Sequence, residues 1–321
     1  MTRLGYQIPN FTYPGVAANE IFDNVVGQAK AAEASGFDRV LLMDHFYQLP
    51  GIGDPDDYML ECYTMLAALA QHTDTVRLSS LVTGNTYRNP AVLAKTITAL
   101  DHVSHGRATL GIGSGWFEME HDAYGIPFNS FTERFEKLEE ALNIILPMLR
   151  GERPTLDGKH YQVTEAINSP APVSKIPVMI GGSGEKKTLR MVAQYADESN
   201  LTCGPDEIPR KLDALAGHCE RLGRDRSEIK VTKLVMMVIG RTMEEARASV
   251  DTFMETHGWP VEMAEMMVPM MTMGGPDEIS EAIQELVDLG LDGVTLNLAA
   301  NAHDPELIAL AGETVDAIIP R

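Results

Sequence analysis

The sequence has no apolar run approaching the roughly 18 residues that a membrane-spanning helix requires. Its opening, MTRLGYQIPNF, lacks the apolar stretch of a secretory signal. Cysteine is scarce: Cys62, Cys203 and Cys219 are the only three, none has metal-type spacing, and an odd number argues against a disulfide framework. A cytoplasmic location, reducing and without membrane attachment, is therefore expected. Cations are also few, with 26 Lys and Arg against 46 Asp and Glu and a formal net charge of −20. A field of that sign repels nucleic acid and anionic membrane surfaces, so neither is an expected partner. A phosphorylated ligand stays possible, because backbone N–H groups and a few local cations are enough to hold one. There is no HExxH, no P-loop and no GxSxG elbow. Glu118, Glu120, His121 and Asp122 crowd together but lack the spacing of a ligand set, so no metal is expected.

What is present is alternation. Short β-type runs at Leu4–Ile8, Asp38–Met43, Val76–Val82, Arg107–Ile112, Pro177–Ile180, Asp197–Thr202, Glu228–Ile239 and Gly293–Leu298 are separated by helical patterns. The helices are read at Asn19–Ser35, Tyr58–His72, Pro90–Ser104, Phe131–Leu149, Glu185–Tyr195, Pro209–Leu222, Met243–His257, Pro276–Leu289 and Asp304–Ile319. The strands look mostly apolar rather than alternating, as in a parallel sheet covered on both faces. Eight such units predict an α/β fold, a (β/α)8 TIM barrel with insertions spanning 1–321 as one domain. An open doubly wound sheet is the alternative. Gly151–Lys175, with DGKHYQV as a small hairpin, and Gly258–Gly275 exceed ordinary connections. In the second, Met263, Met266, Met267, Met270 and Met271 fall on one helical face if Pro269 does not interrupt it. Core or subunit packing is the preferred account, and a lid over the barrel mouth stays open.

A TIM barrel carries its site at the C-terminal strand ends. Those ends read Asp44-His45, Thr83-Gly84-Asn85, Gly113-Ser114-Gly115-Trp116, Gly181-Gly182-Ser183-Gly184 and Thr202-Cys203-Gly204. The GGSG run before EKKTLR reads as a phosphate cradle, with glycines for close approach and Lys186, Lys187 and Arg190 as nearby cations. Its structural alternative is a turn in which Ser183 caps the helix. GIGSGW is not a dinucleotide fingerprint, because Trp116 stands where the last glycine belongs. A loop that lets a planar ring lie against the backbone fits better, with Trp116 as a pocket wall. His45 is the candidate proton donor or acceptor, and Asp44 the carboxylate beside it. Adjacent residues of an extended segment point to opposite sides, so both need not face one ligand.

The run TYRNPAVLAKTITALDHVSHGRATLGIGSGWFEMEHDAYGIPF, Thr86–Phe128, resembles the luciferase-like monooxygenase superfamily in its F420-dependent oxidoreductase branch. GFDRVLLMDH, ERFEKLEEAL, PVMIGGSGEKKTLRMVAQYAD and GVTLNL extend the resemblance over nearly the whole chain. It implies a barrel with the cofactor ring over the strand C-termini and Asp44 and His45 beside it. It implies a bulge at Ser80–Leu81, often with a non-proline cis peptide behind the ring. Contacts to the cofactor are implied from Ser80, Leu81, Thr83, Gly113, Ser114 and Gly115, from Gly181, Gly182, Ser183 and Gly184 at its phosphate, and from Thr202 at the same end. A homodimer is implied as well. One departure stands out: the sugar-phosphate dehydrogenases of the superfamily carry a catalytic Glu where this chain has Trp116. Such a dehydrogenase is therefore not expected, and proton transfer falls to His45, or to Glu120 or His121 if their loop folds inward. The expected activity is hydride transfer between coenzyme F420 and a small organic substrate. The alternatives are an FMN-dependent monooxygenase with a partner reductase, and a flavin- or deazaflavin-binding protein without turnover.

Overall fold

A computed structural model describes residues 3–319. Eight strands, β1 (Leu4–Ile8), β2 (Arg39–Leu42), β3 (Arg77–Ser80), β4 (Ala108–Gly113), β5 (Val178–Gly181), β6 (Glu198–Leu201), β7 (Lys230–Ile239) and β8 (Gly293–Asn297), pair in sequence order, all parallel. The sheet then closes, because β8 also pairs with β1, Leu4 opposite Val294 and Gln7 opposite Asn297. Closure excludes the open doubly wound alternative and matches a (β/α)8 barrel.

Around it lie α1 (Ile21–Ala34), α2 (Cys62–Leu69), α3 (Pro90–Val103), α4 (Glu118–Tyr124), α5 (Phe131–Leu149), α6 (Thr188–Tyr195), α7 (Ile208–Leu222), α8 (Met243–Thr256), α9 (Val261–Met267), α10 (Pro276–Asp288) and α11 (Pro305–Asp316). Their starts follow local chemistry. Asn89 caps α3, accepting from the Ala91 and Val92 N–H groups at 2.9 and 3.3 Å, and Pro90 takes the position where a missing N–H costs little. Ser130 and Glu133 form a reciprocal capping box at α5. Glu61 accepts from the Thr64 N–H at 2.7 Å, so α2 begins at Cys62 rather than Tyr58.

The strands do alternate, against the sequence reading. Leu4, Tyr6, Ile8, Val40, Leu42, Leu78, Leu110, Ile112, Val178, Ile180, Val294 and Leu296 join the helices in one apolar core. Each large aliphatic residue so buried contributes about 1.5–3 kcal/mol. The other face lines the barrel interior and is rich in polar groups, with Leu41 and Met179 buried among them. Arg39 and Glu198 form a buried two-pronged ion pair, both bonds 2.8 Å, at the start of β2 and β6. Higher up, Asn200 donates to Thr232 at 2.9 Å and Thr295 at 3.3 Å. Near the mouth Asn297 donates to Gln7 at 3.0 Å.

The DGKHYQV hairpin forms as read, with Leu156 opposite Val163. The Met-rich segment does not form one helical face. α9 stops at Met267, a 3-10 turn containing Pro269 follows, and Thr272–Gly274 turns extended to pair with the end of β7. Met266 and Met270 are exposed, while Met267 reaches the loop after β2 at Gly51.

Candidate active site

The C-terminal end of β2 separates two adjacent residues. Asp44 turns outward and is buried against the helix layer. Its carboxylate accepts from Arg88 Nη1 and Nη2 at 2.6 and 2.9 Å and from the Gly84 N–H at 3.2 Å. Arg88 also donates to Glu61 at 2.6 Å and stacks over Tyr63. Burial pushes the Asp44 carboxyl up, and Arg88 pulls it back. The guanidinium is held firmly charged: burial opposes this, and the carboxylates outweigh it.

His45 turns the other way. Its Nδ1 lies 2.9 Å from Glu120 Oε2, and its ring packs edge-on to Trp116 and Phe117, with centroids 5.7 and 5.8 Å away. Glu120 comes from α4, a seven-residue helix where the sequence predicts a loop. Its side chain is 0% exposed, and it also accepts from the Phe46 N–H, the Tyr87 hydroxyl and, at 2.8 Å, the Tyr47 N–H. Burial raises the Glu120 carboxyl, yet the bonds from His45, Tyr87 and Tyr47 bring it below the ordinary carboxylate value. Gly125, at φ 65°, ends the helix where a left-handed residue is needed. His121 seats α4. Its Nδ1 donates to the Phe117 carbonyl at 2.8 Å, so its Nε2 accepts from the Thr86 hydroxyl at 2.7 Å. Both nitrogens are used, and His121 is a structural anchor. Trp116 stays 60% exposed.

Beyond Ser80 the third strand breaks. The peptide between Leu81 and Val82 is cis, one bond later than the resemblance implied, and Thr83–Gly84 resumes pairing beside β4. Ser80 Oγ and Thr83 Oγ1 lie 2.7 Å apart, Thr83 shares a 2.6 Å bond with Tyr63, and Ser80 donates to the Gly111 carbonyl at 2.9 Å. These hydroxyls are buried and satisfied among themselves. Val82 sits between two glycines. A Cβ at Gly113 would lie 2.9 Å from Val82 Cγ2, and one at Gly181 would lie 2.9 Å from Cγ1. Gly111 meets backbone instead, since a Cβ there would lie 2.1 Å from the Ser80 carbonyl oxygen.

The GGSG loop leaves β5 with Gly182 at φ 112°. Helix α6 begins at Thr188, three residues later than expected, and Ser183 is not its cap. Ser183 Oγ accepts from the Thr202 N–H at 2.8 Å and so ties the ends of β5 and β6 together. The three cations differ. Arg190 pairs with Glu139 through bonds of 3.0 and 2.9 Å. Lys187 lies over Phe131 and Phe135. Lys186 is exposed.

The structure thus gathers His45, Glu120 and Trp116 on one side of the mouth. Val82 with Gly113 and Gly181 lies between, and Ser183 with Thr202 lies on the other side. Ser114 and Gly115 are partly exposed on the loop after β4, where a Cβ at Gly115 would meet Thr86 Oγ1 at 2.7 Å. Asp44, Ser80 and Thr83 face away, into the layer behind. Arg88, Tyr87 and Val82 were not singled out from sequence. The short-helix stop at Gly125 is the signal that would have placed Glu120 on a helix.

Comparison with known proteins gives a family match and individual relatives. The family model described as luciferase-like monooxygenase matches residues 2–293. A protein of Microbacterium testaceum named F420-dependent glucose-6-phosphate dehydrogenase is 29% identical, over 99% of this chain and 97% of its own length. A 5,10-methylenetetrahydromethanopterin reductase of Methanolobus tindarius is 25% identical, over 89% and 94%. Among solved structures, an F420-dependent secondary alcohol dehydrogenase in complex with an F420-acetone adduct superposes with a TM-score of 0.81 at 18% identity, covering 99% of both chains.

Proposed function

The chain belongs to the luciferase-like monooxygenase family, and on that premise we propose that it is an F420-dependent oxidoreductase acting on a small organic substrate. The observation that carries this reading is the mouth itself. Two side-chain-free strand ends, Gly113 and Gly181, flank Val82, and an imidazole with one uncommitted nitrogen stands at the same rim. A planar ring system fits such a floor, which has no side chain at either glycine and no room for one, since a Cβ there would collide with Val82. The relatives named for F420 support the choice of ring.

In this reading Val82, Gly113, Ser114 and Gly115 hold the ring, and Gly181, Gly182, Ser183, Gly184 and Thr202 hold the phosphate end, with Leu81 behind the ring. Bound F420 supplies a two-electron hydride site that does not activate oxygen well. His45 moves the accompanying proton at Nε2, and Trp116 walls the substrate side and limits water there. Asp44, Ser80 and Thr83 act from behind, fixing the strand ends rather than touching ligand. Lys186 and Lys187 are the cations left for an anionic tail, since Arg190 is engaged by Glu139. Trp116 in place of a carboxylate argues for a substrate other than a sugar phosphate. A single domain, a homodimer and a cytoplasmic location complete the proposal. Among the described residues no helix is long and apolar enough to cross a membrane.

A fluorescence titration with F420 and with FMN tests it. Saturable F420 binding in the micromolar range is expected. Binding of FMN alone would transfer the site to the monooxygenase reading, and binding of neither would refute a ring site at the mouth.

A further inference from the structure

The relatives' named activities do not say what orients His45 in a chain that carries Trp116 where a sugar-phosphate dehydrogenase would carry its acid. We propose that Glu120 is the positioning residue of this site: it fixes His45 in the tautomer with hydrogen on Nδ1 and leaves Nε2 as the proton acceptor. The proposal rests on the reading of His45 as the proton-transfer group, and it concerns this chain's own residues.

The argument is one of donors and acceptors. The Glu120 carboxylate has no exposed surface and can only accept. Four groups converge on it. The Phe46 and Tyr47 N–H groups take Oε1, and Tyr87 and His45 take Oε2. The two N–H groups and the hydroxyl are donors. The fourth partner, His45 Nδ1, must donate too, or its lone pair would face a buried carboxylate oxygen at 2.9 Å. With hydrogen on Nδ1, the neutral ring carries its lone pair on Nε2. That nitrogen has no hydrogen-bond partner among the described residues, and the side chain as a whole keeps 12% of its surface exposed. Trp116 and Phe117 on the ring edges restrict rotation about χ2.

Glu120 also grips the two peptide groups directly after His45, so it sets the backbone and the ring together. This is the arrangement by which a buried carboxylate orients a catalytic imidazole in other enzymes. Here the carboxylate arrives on a separate short helix, seated by His121 through Phe117 and Thr86.

Nitrogen-15 spectra of the histidine side chains test the tautomer without cofactor or turnover. They are recorded above the imidazole titration range, at about pH 9, with His45→Asn used to assign the signals. The wild-type protein is expected to show Nδ1 protonated and Nε2 bare. A protonated Nε2 would overturn the proposal. Glu120→Gln keeps one oxygen for the Phe46 and Tyr47 N–H groups and presents its amide donor to His45. The ring should then switch to the Nε2–H form, and kcat should fall about 10²-fold or more with little change in F420 affinity. An unchanged tautomer in a folded Glu120→Gln protein would overturn the positioning role. If that variant does not fold, the wild-type spectrum still decides. Because the spectra need no F420, their failure is distinct from failure of the cofactor reading, which the binding titration reports.

Discussion

Replacing Gly181 by Ala should show whether the floor of the mouth does what its shape suggests. The added Cβ would lie 2.9 Å from Val82 Cγ1 and 3.2 Å from Cγ2, well inside contact distance, with Val82 Cβ the next atom at 3.7 Å. Valine is branched at Cβ, which restricts χ1, so it cannot swing clear cheaply. Overpacking of this kind costs about 1–3 kcal/mol. That cost has two places to appear. If Val82 holds its position, stability falls by that amount and the urea midpoint drops. If Val82 rises into the mouth, stability is spared and F420 binding weakens by about 5- to 150-fold, at about 1.4 kcal/mol per tenfold. The two readings together should total about 1–3 kcal/mol. Adding Val82→Ala removes both close atoms and leaves the 3.7 Å contact, so the double variant should recover most of the loss. The assays are urea unfolding followed by circular dichroism, and fluorescence titration with F420. A Gly181→Ala protein that matches wild type in both, or one that Val82→Ala does not rescue, would refute the reasoning.

Other substitutions probe the strand ends and their buried pairs. Gly111→Ala places a Cβ 2.1 Å from the Ser80 carbonyl oxygen, where no side chain can yield, so little folded protein should accumulate; a soluble variant with wild-type Tm would contradict this. Arg88→Met leaves the Asp44 carboxylate buried with only the Gly84 N–H as partner and should cost about 3–5 kcal/mol in urea unfolding, while Asp44→Asn in the same chain should restore much of it. Glu120 has a depressed folded pKa, so the folded state binds fewer protons than the unfolded chain as pH falls. Its contribution is whole above the unfolded value of about 4.3 and is lost as pH drops through the lower folded value. Glu120→Gln should therefore flatten the acid limb of stability against pH, and an unchanged limb would show that the carboxylate gains nothing on folding.

The architecture was legible because its signals are local. Asn89-Pro90 starts α3, and a strand followed by a Gly-rich run marks the ends of β4 and β5 whatever lies across the barrel. What sequence hid was pairing at a distance. Arg190 reads as a free cation beside the GGSG loop, yet Glu139, 51 positions earlier, takes it. That Asp44 and His45 can face opposite sides follows from strand geometry alone, but their partners, Arg88 and Glu120, sit 44 and 75 residues away and could not be read. The interior alternation was masked because Gly, Ser and Thr occupy many inward positions and do not register as polar breaks in a short apolar run. Helix α4 was missed for a different reason. Seven residues are too few for a periodic pattern, and its acidic start looks solvent-facing until His121 pins it down.

The opposed fates of Asp44 and His45 bear on how such a barrel can be remade. The His45 imidazole is gripped twice, from the helix layer through its neighbour and from the loop after β4 through Glu120. The first grip belongs to the scaffold and travels with any sequence that keeps Arg88. The second belongs to an exchangeable segment. On the proposed function, a grafted loop that reshapes the wall around Trp116 must return a carboxylate to the same spot, which would tie the freedom to change specificity to one acidic side chain that the substrate itself need never touch.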